Sequence, residues 1–339
     1  MKKLLNNLYI TSEGSYLHKE RETIVVELEG KKIFQAPFHA FGGIYCFGRV
    51  MVSPALMGSC GERGIELAFF TGHGKFQARV LGKQTGNVLL RRAQYRLADA
   101  NPTSLARIFV GAKLANGRQI VMKQIRNHGQ NEKLKQCAVQ LAGGLRRLKF
   151  SSNMDRIRGI EGDSAAGYFA VFNELIAAEQ RVDFRFSGRT RRPPLDEVNA
   201  MLSFSYSLLA NEIASALQGI GLDPYVGFLH ADRPGRLSLA LDMLEEFRAW
   251  WCDRFVLTLI NRKQVKRSDF IKEASGAVRM KDGARKEFLT AWQERKQEQI
   301  THPFLKEKAP VGLLPHLQAM LLAKHLRGDL ENYPPFFTR

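Results

Sequence analysis

Residues 227–251 read GFLHADRPGRLSLALDMLEEFRAWW. From Leu237 onward the stretch has helical spacing. With a turn of about 100° per residue and Asp242 at zero, Glu245 falls near ~300°, Glu246 near ~40° and Ser238 near ~320°. Leu237, Ala240, Leu244, Phe247 and Trp251 gather on the opposite side, so the acids share one face while the apolar residues pack inward. Ahead of the helix, the basic turn ADRPGR carries Arg233 and Arg236, and His230 stands at its mouth, where the turn folds it back over the helix start.

The same period governs most of the chain around it. It begins near residue 88 with Leu89, Leu105, Ile108 and Phe109, and continues through 120–125 and 134–148. After Asn199 it predicts helices over 199–219, 237–262, 268–275, 284–299 and 312–327, with Gly219 and Gly221 closing the first and Gly328 the last. Residues 333–337, YPPFF, read as extended. Residues 1–80 have a different character. Short β-branched or aromatic runs at 8–10, 15–18, 23–28, 31–35, 41–47 and 66–70 predict strands, with Glu13-Gly14 and Glu29-Gly30 as turns. Ser53 is placed to cap a short helix with Pro54 at its first position. The fold class is therefore α+β: an N-terminal β-rich domain over 1–85, followed by a larger all-α domain over 86–339.

The formal net charge is +18, from 51 basic and 33 acidic side chains; residues 81–339 hold 41 and 26 of them. The excess sits in the helical part, where a positive field attracts polyanions. A solvated basic surface would give the same count. Residues 181–196, RVDFRFSGRTRRPPLD, form a long irregular stretch in which Arg185, Arg189, Arg191 and Arg192 crowd together. Pro193-Pro194 stops regular structure, and Asp196 is placed to cap the next helix. That loop reads as either a phosphate-contact strip or a solvated surface. Cys46, Cys60, Cys137 and Cys252 lack metal-ribbon spacing, which suits a reducing cytoplasm. MKKLLNNLYI is too brief an apolar run for a secretory leader, and no stretch reaches the ~20 apolar residues of a membrane helix. His73, between glycines in TGHGK, reads as a turn residue, and those glycines do not make a phosphate loop.

Asp242 and Glu245 are one helical turn apart and, with His230, suit a divalent cation: oxygens for Mg²⁺, with nitrogen favouring Mn²⁺. Taken alone, acids at this spacing also describe a solvated helix face. Glu161, in RIRGIEGDSAAGYF, reads as a helix-start residue favoured by the positive N-terminus. The small residues Ser164, Ala165, Ala166 and Gly167 behind it would let another helix or a substrate backbone approach closely.

Three stretches taken together resemble a known family. IEGDSAAGYF, RRPPLDEVNAMLSFSYSLL and GFLHADRPGRLSLALDMLEEFR are similar, in that order, to the CRISPR-associated spacer integrase (Cas one, the adaptation endonuclease). The early LYI and GGIYCFGRVMVSPALM and the late INRKQVKRSDF extend the likeness, and the N-terminal segment looks nearest the subtype I-C branch. The resemblance implies a metal-dependent DNA endonuclease and integrase. Members insert spacer DNA into the CRISPR array by attack of a 3′-OH on a phosphodiester, with Mg²⁺ or Mn²⁺ as cofactor. It implies double-stranded DNA (prespacer and CRISPR repeat), a second copy of the chain and a small second adaptation subunit (Cas two) as partners, with the N-terminal domain in dimerisation. By motif, the metal ligands fall on Glu161, His230 and Glu245, with Asp242 as a further catalytic acid and Glu246 one position from the last ligand. Arg248 matches a position near DNA, and Arg233, Arg236, Arg189, Arg191 and Arg192 are expected to contact phosphates. A non-catalytic basic DNA-binding scaffold of the same fold is the alternative.

Overall fold

The computed structural model describes residues 6–72, 76–80, 82, 87–129 and 131–338; the expectation for His73 lies outside them. Two compact units emerge. The first takes the chain before Asn87 together with Met280–Ile300 and Pro310–Leu313, and the second takes Asn87–Arg279, Thr301–Ala309 and the chain from Leu314 on.

In the first unit the strands are β1 (Asn6–Ile10), β2 (Tyr16–Glu20), β3 (Thr23–Leu28), β4 (Lys31–Pro37), β5 (Phe41–Phe47), β6 (Met51–Val52), β7 (Glu66–Phe70) and β8 (Phe76–Val80), with helix α1 (Pro54–Arg63) between β6 and β7. They form two four-stranded sheets, ordered β1-β5-β7-β8 and β4-β3-β2-β6. β1, β5 and β7 run parallel, which explains the near-continuous burial along β5 from Gly43 to Phe47. Leu28 pairs with Lys31 across a two-residue turn in which Glu29 and Gly30 both have positive φ, 53° and 73°. That is the turn geometry whose twist matches paired strands. Ser53 Oγ accepts from the Leu56 amide at 3.2 Å, Pro54 is the first helical residue, and Gly64 closes α1 at φ 66°. Ile10, Leu17, Ile24, Val26, Ile44, Leu56 and Leu67 form the core of this unit.

The second unit is built from α2 (Val88–Ala100), α3 (Pro102–His128), α4 (Glu132–Lys149), α5 (Met154–Ala170), α6 (Glu197–Ile220), α7 (Ser238–Phe247) and α8 (Arg254–Asn261). α9 (Asp282–Gln297) follows in the chain, then α10 (Leu314–Leu326). α6 is buried on nearly every side and packs on α7 and α10. Asp196 caps it, accepting from the Asn199 amide at 2.7 Å, and Gly221 ends it at φ 98°. α3 packs against α4, α5 and α7. Between α7 and α8 the helix does not break: Arg248–Asp253 form a π-helical turn, an uncommon widening of the coil. No described helix is long and apolar enough to cross a membrane.

Three sequence expectations change. Residues 268–275 are not a helix: Phe270–Lys272 and Val278–Met280 pair as a short ribbon, turned by Gly276 at φ 83°, with Arg279 Nε donating to Glu273 Oε1 at 3.0 Å. A single cut near residue 86 does not describe the chain, because α9 belongs to the first unit. There it packs against β1, buries Phe288, Leu289 and Trp292, and sets Arg285 over the Phe47 ring at 5.8 Å. Glu161 is not at a helix start. Asn153 caps α5, and Glu161 lies two turns inside it, so attraction to the helix N-terminus does not account for it.

Candidate active site

α3, α5 and α7 each send one charged side chain to a common point. Lys113 of α3 donates its ammonium to Glu161 Oε1 of α5, and the same Nζ lies 2.8 Å from Glu245 Oε2 of α7. On the other oxygen of Glu245, Arg248 Nη2 pairs at 2.8 Å, one turn along the same helix. Glu245 is almost wholly buried. Burial alone would raise its carboxyl; Arg248, Lys113 and His230 together outweigh that and hold it down at about 2. Two carboxylates from separate helices thus share one positive charge.

His230 is set by a different device. The buried carboxylate of Asp242 receives the backbone N–H groups of Phe228 (2.6 Å), Leu229 (3.0 Å) and His230 (3.0 Å), and His230 Nδ1 donates to it at 2.6 Å. Both oxygens of Asp242 are therefore engaged in shaping the loop and orienting the ring. With Nδ1 bound to a carboxylate, Nε2 carries the free lone pair, the arrangement of a metal-binding histidine. The loop lies hard against α7: a Cβ on Gly227 would sit 2.8 Å from both Asp242 Oδ2 and Ser238 Cβ, so only glycine fits there. Arg158 of α5 pins the loop from outside, donating through Nη2 to the Leu229 carbonyl at 2.9 Å.

Glu246, next to Glu245, faces away from this point. Its carboxylate accepts from Tyr333 Oη at 2.6 Å, Gln318 Nε2 at 2.8 Å and the Phe336 amide at 2.7 Å, anchoring the C-terminal segment. Burial pushes its carboxyl up to about 7 against those three donors. Gln318 in turn accepts from buried His302 at 3.1 Å.

The arginines divide into two groups. Arg189 is half-buried and structural: it donates to Asn199 Oδ1 at 2.7 Å and Ser203 Oγ at 3.1 Å, and stacks over Tyr206 at 5.2 Å, a ring that Arg248 also approaches at 4.7 Å. Arg191, Arg192 and Arg233 are exposed. Burial first, then the charges of Arg233, Arg158 and Arg192, hold the Arg236 guanidinium below the usual arginine range, so these four form one basic patch beside the His230 loop. Ala165, Ala166 and Ala170 of α5 line an open groove with Gly188, Arg189 and Arg191. Other small residues serve helix packing instead: Gly167 meets the Gln140 side chain, and Gly144 meets Leu114 and Ser164.

Among the described residues, no three His, Cys, Asp or Glu side chains are gathered closely enough to hold a metal ion. Glu161 and Glu245 converge on one cation, whereas His230 is engaged with Asp242. The donors nonetheless fit a divalent ion in kind: two carboxylates around one positive charge, and an imidazole with its far nitrogen fixed by an acid. Lys113 was not singled out from sequence, nor were Asn116, whose Nδ2 donates to the Glu246 carbonyl at 2.7 Å, Gln318 and Tyr333. The available signal lay in α3, where Phe109, Lys113 and Asn116 follow an i, i+4, i+7 stripe otherwise made of buried residues.

A two-layer β unit followed by a helical unit with acids and a histidine on adjacent helices defines a class of protein that comparison makes specific. Residues 8–294 match the family model described as CRISPR associated protein Cas1, and the chain belongs to that family. It is 52% identical over 344 residues, covering all of both chains, to CRISPR-associated endonuclease Cas1 1 of Chlorobaculum tepidum. It is 48% identical, again over the whole of both chains, to CRISPR-associated endonuclease Cas1 2 of Rhodospirillum rubrum. Among solved structures, the fold matches a casposase bound to integration product with a TM-score of 0.84 at 21% identity, over 98% of this chain and 95% of that one. It also matches a Cas6-RT-Cas1–Cas2 complex with a TM-score of 0.82 at 20% identity, over 99% of this chain and 36% of that chain.

Proposed function

We propose that this chain is a divalent-metal-dependent DNA endonuclease and integrase of CRISPR adaptation, which joins spacer DNA to the array by attack of a 3′-OH on a phosphodiester. The observation that carries this reading is the convergence of Glu161 and Glu245, from two helices, on one positive charge beside a histidine oriented by a buried acid. Glu161, Glu245 and His230 Nε2 would hold Mg²⁺ or Mn²⁺. When bound, the ion would polarise the phosphate and offset charge on the attacking and leaving oxygens.

The remaining roles belong to side chains on the page. Asp242 fixes the imidazole and the loop that bears it, so little ordering remains to be done when substrate arrives. Arg248 keeps Glu245 ionised and in place. Arg158, Arg192, Arg233 and Arg236 form the basic patch that would seat the phosphates flanking the reacting one, and Arg191 would serve a strand in the groove beside α5. The partners of this reading are double-stranded DNA, a second copy of the chain meeting through the β unit, and a Cas2 subunit like that in the structurally similar Cas1–Cas2 complex.

An integration assay on a supercoiled plasmid carrying the array, with and without Cas2 and EDTA, tests the proposal. Glu161→Gln and His230→Ala are expected to lower strand joining by about 10²-fold or more while retaining DNA binding. Joining at the parent rate by both variants would instead leave a non-catalytic DNA-binding scaffold.

A further inference from the structure

The ammonium of Lys113 lies where the metal reading above places a divalent ion, against both Glu161 and Glu245. Its side chain is only 11% exposed and that of Glu245 3%, so water does little to weaken the charges there. An ammonium and a divalent cation cannot both sit between the same two carboxylates. Beside Lys113 is a cavity of about 20 Å³, bordered by Ser164 and Tyr168 of α5 and by Arg248 and Asp253 of the π-helical turn. That is space for one small polar group, of the order of a single water. Ser164 Oγ is buried there without a hydrogen-bond partner. Asp253 is a buried carboxylate held by the Tyr206 hydroxyl at 2.5 Å. The cavity therefore offers acceptor oxygens and negative charge within the sweep of a lysine side chain.

Resting on that metal reading, we propose that Lys113 is a displaceable cation: it neutralises Glu161 and Glu245 in the metal-free protein and withdraws into the cavity of Ser164 and Asp253 when a divalent cation enters. Both states keep buried charge balanced. In the first, Lys113 and Arg248 face the two glutamates. In the second the divalent ion faces the glutamates, Lys113 faces Asp253, and the charge of Arg248 is left for an incoming phosphate. Lys113 is thus a positioning residue. It keeps the two acids from repelling each other apart before metal arrives, and it sets the metal concentration at which the site fills.

The test is titration of the EDTA-stripped full-length protein with Mn²⁺ alone, without DNA, by calorimetry, together with melting temperatures in EDTA and in excess Mn²⁺. Lys113→Met is expected to bind Mn²⁺ about tenfold more tightly than the parent, because the competing charge is gone. It should also melt lower in EDTA and gain more on adding Mn²⁺. Asp253→Asn is expected to weaken Mn²⁺ binding severalfold in the parent background and to have no such effect alongside Lys113→Met, a coupling that a merely structural role would not produce. If Lys113→Met does not fold, Asp253→Asn and Ser164→Val carry the test by the same loss of affinity. Equal or weaker binding by folded Lys113→Met, or an Asp253→Asn effect of the same size in both backgrounds, overturns the displacement. Failure of the parent itself to bind Mn²⁺ overturns the metal reading along with it.

Discussion

The two sides of α7 treat adjacent glutamates in opposite ways. Glu245 looks toward Lys113 and Arg248, which keep it charged, at about 2; Glu246 looks toward Tyr333, Gln318 and the Phe336 amide, where burial lifts it to about 7. Both are equally buried, so desolvation does not separate them. What differs is the kind of partner: full positive charges on one side, and neutral hydrogen-bond donors on the other. A buried charge met by charge is available for chemistry, whereas a buried acid met by neutral donors is a fastening.

The largest effect is expected from Glu245→Gln. It leaves two buried cations without their counter-charge, at a cost of about 3–5 kcal/mol in urea denaturation, and lowers strand joining by at least about 10²-fold. Parent-like stability and joining would break the comparison.

The pH dependence comes next. The folded Glu246 carboxyl, at about 7, lies above its ordinary 4.5, so the native state binds more protons between those values. Its stabilising share is full below about pH 4.5 and is lost as pH rises through about 7, by up to roughly 1.4 kcal/mol per unit. Asp253, raised by burial to about 6, acts in the same sense. Glu245 acts in the opposite sense and elsewhere: its share is present above about 4.5 and is lost as pH falls toward about 2, so it is constant from pH 5 to 8. Unfolding free energies across pH 5–8 should therefore decline more gently in Glu246→Gln than in the parent, with strand joining preserved. A Glu246→Gln protein as inactive as Glu245→Gln would sink the division of roles. The smallest effect is that of Tyr333→Phe, which removes one donor from Glu246. A loss of about 1 kcal/mol, seen as a melting point lower by ~2–4 °C, with unchanged joining is expected.

Features legible in the sequence were those fixed by near neighbours. The hairpin turn at Glu29-Gly30, the caps at Ser53 and Asp196, and the long apolar stripe of α7 depend on residues a few positions away. The helix angles placed Glu245 and Glu246 on one broad face and could not divide them. That division depends on Lys113, 132 positions before Glu245, and on Tyr333, 87 positions after Glu246. Asp242 shows the same limit: by spacing it reads as a candidate ligand, and only its three backbone donors reveal that it serves the loop instead. α9 has helical spacing in plain view, yet nothing local to it says that its apolar stripe belongs with strands more than 200 residues earlier. Residues 268–275 misled because a segment this short is settled by one glycine at positive φ rather than by periodicity.

The π-helical turn at Arg248–Asp253 has a consequence for how this region tolerates change. By widening the coil without breaking it, the turn accommodates an additional residue and rephases everything beyond it. The half before it keeps Glu245 in register with α3, and the half after it aims Asp253 at Tyr206 of α6. The two registers are independent only because that widened turn lies between them. Point substitutions on either half can be absorbed locally, whereas loss of a single residue from the turn would rotate one half against the other and separate Arg248 from the acid beneath it.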